Sequence, residues 1–143
     1  MPNTLIVGID ISSQSNSIFF IDDAGNQLIK KPFSLPNDQE GANELIKRVI
    51  DCLSQYNLSY VKFGMEATSH YGWHLHLYLA SSSELLPYKP TFYVLNPSIV
   101  KGFKKIYTFL PKTDNIDAVV IAECVRFSKL NPTPLPDFKY AAL

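Results

Sequence analysis

Four carboxylates in this chain stand where they could act together. Asp10 closes the apolar run Leu5-Ile6-Val7-Gly8-Ile9, and Glu66 closes a second run from Tyr60 to Met65. Both runs read as central strands, so each acid reaches the end of a strand, where open α/β sheets place their ligand sites. Asp114 and Asp117 lie in the first turn of an expected helix, three residues apart and on one face, where the helix N-terminus stabilises negative charge. Each acid has a plainer alternative. Asp10 fits a strand-end turn, Glu66 a solvated strand end and Asp114 an ordinary helix start. If the helix packs its first turn over the strand ends, the four acids converge, and a divalent cation is the usual remedy for their repulsion. Oxygen-only ligands favour Mg²⁺ or Mn²⁺ over zinc. Two such ions can activate an attacking oxygen and stabilise a leaving oxygen in phosphodiester chemistry.

Other residues invite chemistry less strongly. His70, His74 and His76 suggest a metal triplet, but on a helix His70 and His74 share a face while His76 points elsewhere. His70 is better placed to orient the Glu66 loop or a phosphate. Tyr71 and Trp73 could stack on bases, with core packing as the alternative. Lys101, Lys104 and Lys105, with Lys112 nearby, form the basic cluster of the sequence. A solvated helix face is its default reading.

These residues need elements to hold them. Gly8 leaves room for a backbone or a ligand to approach the first strand. After a polar turn at Ile11-Ser12-Ser13-Gln14-Ser15, residues 16–21 alternate as a second strand. Asp22-Asp23-Ala24-Gly25-Asn26 makes a hairpin loop with Gly25 free for positive φ. A third strand is expected over 27–33, its Lys30, Lys31 and Pro32 marking a sheet edge. Asn37 and Glu40 resemble a capping box opening a helix near 38–55, with Ala42, Leu45, Ile46, Val49, Ile50 and Leu53 at helical spacing. The fourth strand follows, then a helix over 71–86 closed by Pro87 and Pro90. A fifth strand spans 91–95. Asn96-Pro97 starts a helix running to about Tyr107, and a last helix runs from Asp114 to about Ser128. Three strands followed by strand–helix alternation give an α/β fold: a mixed five-stranded sheet of order 3-2-1-4-5 flanked by helices, the ribonuclease H-like arrangement.

Composition narrows the function classes. The 143 residues suffice for one domain with a proper core, and 46% are hydrophobic. Thirteen basic and thirteen acidic side chains cancel, so nucleic-acid binding must come from a local patch. Cys52 and Cys124 have no metal-ligand spacing and read as reduced core residues of a cytoplasmic protein. No apolar run reaches membrane-span length. The proline-rich stretch 131–136 reads as a stiff tether, making 1–130 the domain and 131–143 a linker toward a further domain.

Four blocks occur in order: Val7-Gly8-Ile9-Asp10-Ile11-Ser12, Gly64-Met65-Glu66-Ala67-Thr68-Ser69-His70-Tyr71-Gly72-Trp73, Asn96-Pro97 with Lys101 and Phe103, and Lys112-Thr113-Asp114-Asn115-Ile116-Asp117-Ala118. In this combination the chain, from Ile6 to about Phe127, resembles the N-terminal domain of the DEDD transposases of bacterial insertion sequences, the insertion-sequence-110 family that includes Piv-type DNA invertases. Ser69 stands where that family commonly has Gly. The resemblance implies a RuvC-like domain whose acids, at Asp10, Glu66, Asp114 and Asp117, bind Mg²⁺ for DNA strand cleavage and rejoining. It also implies a C-terminal transposase domain with a serine nucleophile, in some members a structured guide RNA, and a homo-oligomeric full-length protein. In that setting Lys101, Lys104, Lys105 and Lys112 become candidates for RNA or DNA backbone contact. Two rivals have different signatures. A sugar-kinase or actin-like ATPase half needs a glycine-rich phosphate turn after the first strand, and residues 11–15 contain no glycine. A non-catalytic module for nucleic-acid docking or oligomerisation would ignore metal and acids alike.

Overall fold

The apolar run ending at Asp10 forms the middle of a five-stranded sheet, because its large aliphatic side chains alternate between two faces that both need covering. A computed structural model describes residues 1–66, 71–106, 116–127 and 131–133, excluding the side chains of 71–73. The elements are β1 (Thr4–Ile11), β2 (Ser15–Asp22), β3 (Phe33–Pro36), α1 (Gln39–Gln55), β4 (Tyr60–Glu66), α2 (Tyr71–Ala80), β5 (Thr91–Leu95), α3 (Pro97–Ile106) and α4 (Ile116–Phe127). The sheet order is β3-β2-β1-β4-β5, as expected. Pairing is antiparallel from β1 through β2 to β3 and parallel from β1 through β4 to β5.

Alternation along the strands divides the core into two layers. Leu5, Val7, Ile9, Phe63 and Met65 pack with the buried stripe of α1 and with Leu75 and Leu79 of α2. Ile6, Phe19, Ile21, Tyr93 and Leu95 pack with Ala118, Ile121, Ala122 and Val125 of α4. Gly8 and Gly64 pair across β1 and β4 on this second face. A Cβ on Gly8 would lie 2.2 Å from the Ala118 carbonyl oxygen and 2.7 Å from the Ala122 nitrogen. One on Gly64 would lie 2.4 Å from Val125 Cγ2. The space at Gly8 therefore receives a backbone, that of α4, which the two glycines let sit down on the sheet.

Several boundaries differ from the sequence expectation. The third strand is not 27–33: Gln27 makes an isolated bridge to Ile21, and regular pairing resumes only at Phe33–Pro36. Continuing the Ile21↔Gln27 register would place Lys30 opposite Ile18, yet Ile18 faces Phe33, so three residues are looped out. The excursion leaves Lys30 and Lys31 exposed and brings Phe33 edge-on to Phe20, with ring centroids 5.5 Å apart. The cap of α1 is Asp38 rather than Asn37; its side chain accepts from the Gly41 N–H at 2.8 Å, while Asn37 donates to the Ser12 carbonyl. Helix α2 ends at Ala80, six residues short of its expected end. Ser81 turns its hydroxyl onto the Leu77 carbonyl, and a 3₁₀ turn at Leu86–Tyr88 carries Pro87 instead. The expected start of α4 at Asp114 lies outside the described residues.

At the start of the proline-rich stretch, Thr133 is held against the outer edge of β5. Its N–H donates to the Phe92 carbonyl at 2.7 Å, and its hydroxyl accepts from the Val94 N–H at 2.9 Å. These bonds cover part of an otherwise open strand edge. Among the described residues, no helix is long and apolar enough to cross a membrane.

Candidate functional site

Parallel pairing decides how the two strand-end acids stand. Ile9 pairs with Met65, so Asp10 and Glu66 sit one step further along neighbouring strands. Both lie two residues beyond a glycine, on the face that α4 covers. The glycines admit the helix and the acids meet its beginning. Asp117 lies in the first turn of α4, immediately before Ala118, whose carbonyl oxygen packs on Gly8. Two strands and a helix thus direct three carboxylates to one end of the sheet.

Their electrostatics show the proximity. Asp10 is half-buried, and its carboxyl is held above the ordinary value first by burial and then by the negative charge of Asp117. Glu66 is raised by burial and by both Asp10 and Asp117. Lys104 of α3 opposes each of these shifts. Its Nζ lies 2.6 Å from Asp117 Oδ1, and this bond holds the ammonium above its ordinary range. Glu66 and Asp117 flank an open cavity of about 450 Å³ lined also by Pro97, Ser98, Val100, Lys101 and Lys104. Asn96 fixes the rim of that cavity by capping α3: its side-chain oxygen accepts from the Ser98 N–H and hydroxyl, both at 2.9 Å.

Asp114 and Lys112 lie outside the described residues, as does His70. Among the described residues, no group of three or more His, Cys, Asp or Glu side chains is gathered tightly enough to hold a metal ion. The donor chemistry nevertheless suits a hard divalent cation: hard oxygens only, two carboxyls raised by burial and like charge, and a cationic side chain already paired with the third. Lys101 and Lys104, one turn apart on α3, both reach this cavity, whereas Lys105 is exposed away from its lining. The Lys104–Asp117 pair was not foreseen. It joins two helices, and the available hint was that Lys104 follows buried Val100 by four residues and so shares the face that α3 turns inward.

The remaining histidines separate. His76 is buried against Phe92, with ring centroids 4.4 Å apart, and burial lowers its pKa. His74 is exposed beside a different cavity with Asn37, Asp38 and Tyr78. A zinc triplet has no support in that arrangement. Cys52 and Cys124 are free and buried, with thiols pushed up to about 11 and about 12 respectively. The turn after β1 closes on itself: the Ser12 N–H donates to the Ser15 carbonyl and the Ser15 N–H to the Ser12 hydroxyl. Those two backbone donors are therefore not presented to a phosphate, as an ATPase half would require.

Comparison with known proteins agrees with this topology. A family model of IS110-type DEDD sequences, described as transposase, matches residues 7–143, extending past Phe127 through the proline-rich stretch. The chain finds no match among curated protein sequences. Among solved structures it is similar to T. thermophilus RuvC in complex with a Holliday junction substrate, with a TM-score of 0.56, 12% identity, and 92% of this chain and 100% of that chain covered. Another Thermus thermophilus RuvC structure gives a TM-score of 0.56 and 16% identity, covering 90% of this chain and 99% of that one. At such identities the likeness shows the fold, which is ribonuclease H-like.

Proposed function

The chain belongs to the DEDD transposase family, and from that premise we propose that it supplies the carboxylate site for metal-dependent cleavage and rejoining of DNA strands in transposition or site-specific recombination. The observation that carries this reading is the convergence of three carboxylates: paired β1 and β4 end side by side on Asp10 and Glu66, and α4, seated on Gly8, brings Asp117 to the same end. Acids brought from three elements into one half-buried place, with Asp10 and Glu66 raised by burial and by neighbouring negative charge, are costly without a functional return.

In this reading Asp10, Glu66 and Asp117, joined by Asp114, hold Mg²⁺ or Mn²⁺. When bound, the cation supplies Lewis-acid polarisation of the phosphate and neutralises charge on the attacking and leaving oxygens. The rest is done by the protein. Strands β1 and β4 hold Asp10 and Glu66 at adjacent positions, so neither acid depends on a loop for its place. Helix α4, docked through Gly8, delivers Asp117. Lys101 and Lys104 at the cavity, with Lys105 and Lys112 as further candidates, offer positive charge to the backbone of a nucleic-acid strand lying across it. A branched DNA substrate suits such a site, by analogy with the junction-bound RuvC relative. The full-length protein is read as a homo-oligomer with a C-terminal domain supplying a serine nucleophile, residues 131–143 leading toward it, and a structured guide RNA choosing the target.

The test is transposition by the full-length protein carrying Asp10→Asn or Asp117→Asn. Each change keeps the side-chain shape and removes a metal-binding charge, so the expected result is loss of strand cleavage and of transposition. Retained activity in either variant overturns the assignment.

A further inference from the structure

The Lys104–Asp117 pair has a consequence beyond balancing a surface charge, and it rests on the metal-dependent reading above. The Lys104 ammonium touches Asp117 directly at 2.6 Å, and its positive charge also opposes the raising of Asp10 and Glu66. Three carboxylates against one ammonium leave a net negative charge, so attraction for a further cation persists. Yet an Asp117 oxygen is already engaged, and the ammonium repels any divalent ion approaching the same oxygens. Lys104 reaches its partner from α3, an element separate from the strands and helix that carry the acids. It can therefore withdraw without disturbing them. Its side chain is 48% exposed and that of Asp117 37%, so exchange of the partner needs no opening of the core.

We propose that Lys104 is an internal competitor for the divalent cation: in the resting protein it holds Asp117, and cation binding requires it to let go. The displaced ammonium stays tethered at the cavity rim beside Lys101, where a backbone phosphate is its natural next partner. The order of events follows from charge. The resting site is partly neutralised by the protein itself, and it exchanges a lysine for a metal ion as it becomes active.

The experiment is a calorimetric titration of Mn²⁺ into the parent protein and its Lys104→Met, Lys104→Arg, Lys101→Met and Asp10→Asn variants. Exposed ion pairs are weak, so Lys104→Met is expected to bind Mn²⁺ about three- to fivefold more tightly than the parent. Lys104→Arg, which keeps the charge, should stay near the parent, and Lys101→Met should gain less than Lys104→Met. A merely structural role for Lys104 would move the melting temperature and leave this ordering flat. Equal or weaker binding by Lys104→Met overturns the competitor role. If Asp10→Asn abolishes binding in that same series, the carboxylate site stands without it. Absence of Mn²⁺ binding in both the parent and Lys104→Met also overturns the proposal, while the transposition assay judges the wider reading independently.

Discussion

Helix α4 runs between two acidic ends of the same sheet, and they are built on opposite principles. At its C-terminal end, near Gly25, buried Asp22 is fully employed. One oxygen accepts from the N–H groups of Ala24 and Asn26 and the other from the Asn26 side chain, all at 2.9 Å. Arg126 of α4 packs beside Gly25 and is itself paired with Glu123 at 2.7 Å. At the N-terminal end, Asp10 and Glu66 meet burial and like charge, and their relief comes through Lys104. A carboxylate supplied with fixed donors shapes a loop. Among the described residues, no such donor meets Asp10 or Glu66. The contrast sets a structural acid against the acids of the proposed site within one molecule, and it can be broken from either side.

The largest effect should come from the position that makes both ends possible. Gly8→Ala drives a Cβ into the α4 backbone, which cannot yield as a flexible side-chain tip would. Overpacking of this kind costs about 3 kcal/mol. Urea unfolding should show that loss as a lowered midpoint, and Mn²⁺ affinity should fall with it, since α4 carries Asp117. An unchanged midpoint would mean that α4 does not rest on Gly8.

Next in size is the structural acid. Asp22→Ala strands three donors in the β2 hairpin loop and is expected to cost roughly 2 kcal/mol, lowering the melting temperature by several degrees. Transposition per folded molecule should be unaffected. An activity loss exceeding the loss of folded protein would erase the distinction between the two ends.

Much of this arrangement could be read in the chain beforehand, and what could not has physical causes. β1, β4 and β5 declare themselves because strands covered on both faces are mostly apolar, and the acids at Asp10 and Glu66 stand out at their ends. β3 misleads, because residues 27–32 have strand-like composition but three residues leave the ladder so that Phe33 can reach Phe20. α2 looks longer than it is, since Ser81 stops it through a hydrogen bond that hydrophobic spacing does not encode. The pairing of Gly8 and Gly64 under α4, and the grip of Lys104 on Asp117, are relations between separate elements. Periodicity puts Lys104 on the inward face of α3 but does not name its partner. The family blocks point to candidate acids, but not to a lysine holding one of them.

The smallest predicted effect is the most diagnostic, because its sign is opposite to that at Asp22. Asp10→Asn removes a half-buried charge that burial and Asp117 disfavour, so the variant should be more stable than the parent at neutral pH. After solvent screening of a partly exposed group the gain is on the order of 0.5 kcal/mol, about 2 °C in melting temperature. The pH dependence follows from the direction of the shift. A carboxyl raised in the folded state from its ordinary 3.8 favours folding fully below that value, and the favourable contribution disappears as pH climbs through the raised folded pKa. Parent and variant should therefore melt together near pH 3 and separate as the solution is brought toward neutrality, the parent falling behind. Glu66→Gln should show the same divergence, displaced upward from the higher ordinary value of 4.5. Adding Mn²⁺ should close the gap by stabilising the parent alone, since a ligand bound only by the folded state raises its stability. Parent and variant melting together at every pH would mean that Asp10 is as comfortable as Asp22, and the two ends of α4 would no longer differ in kind.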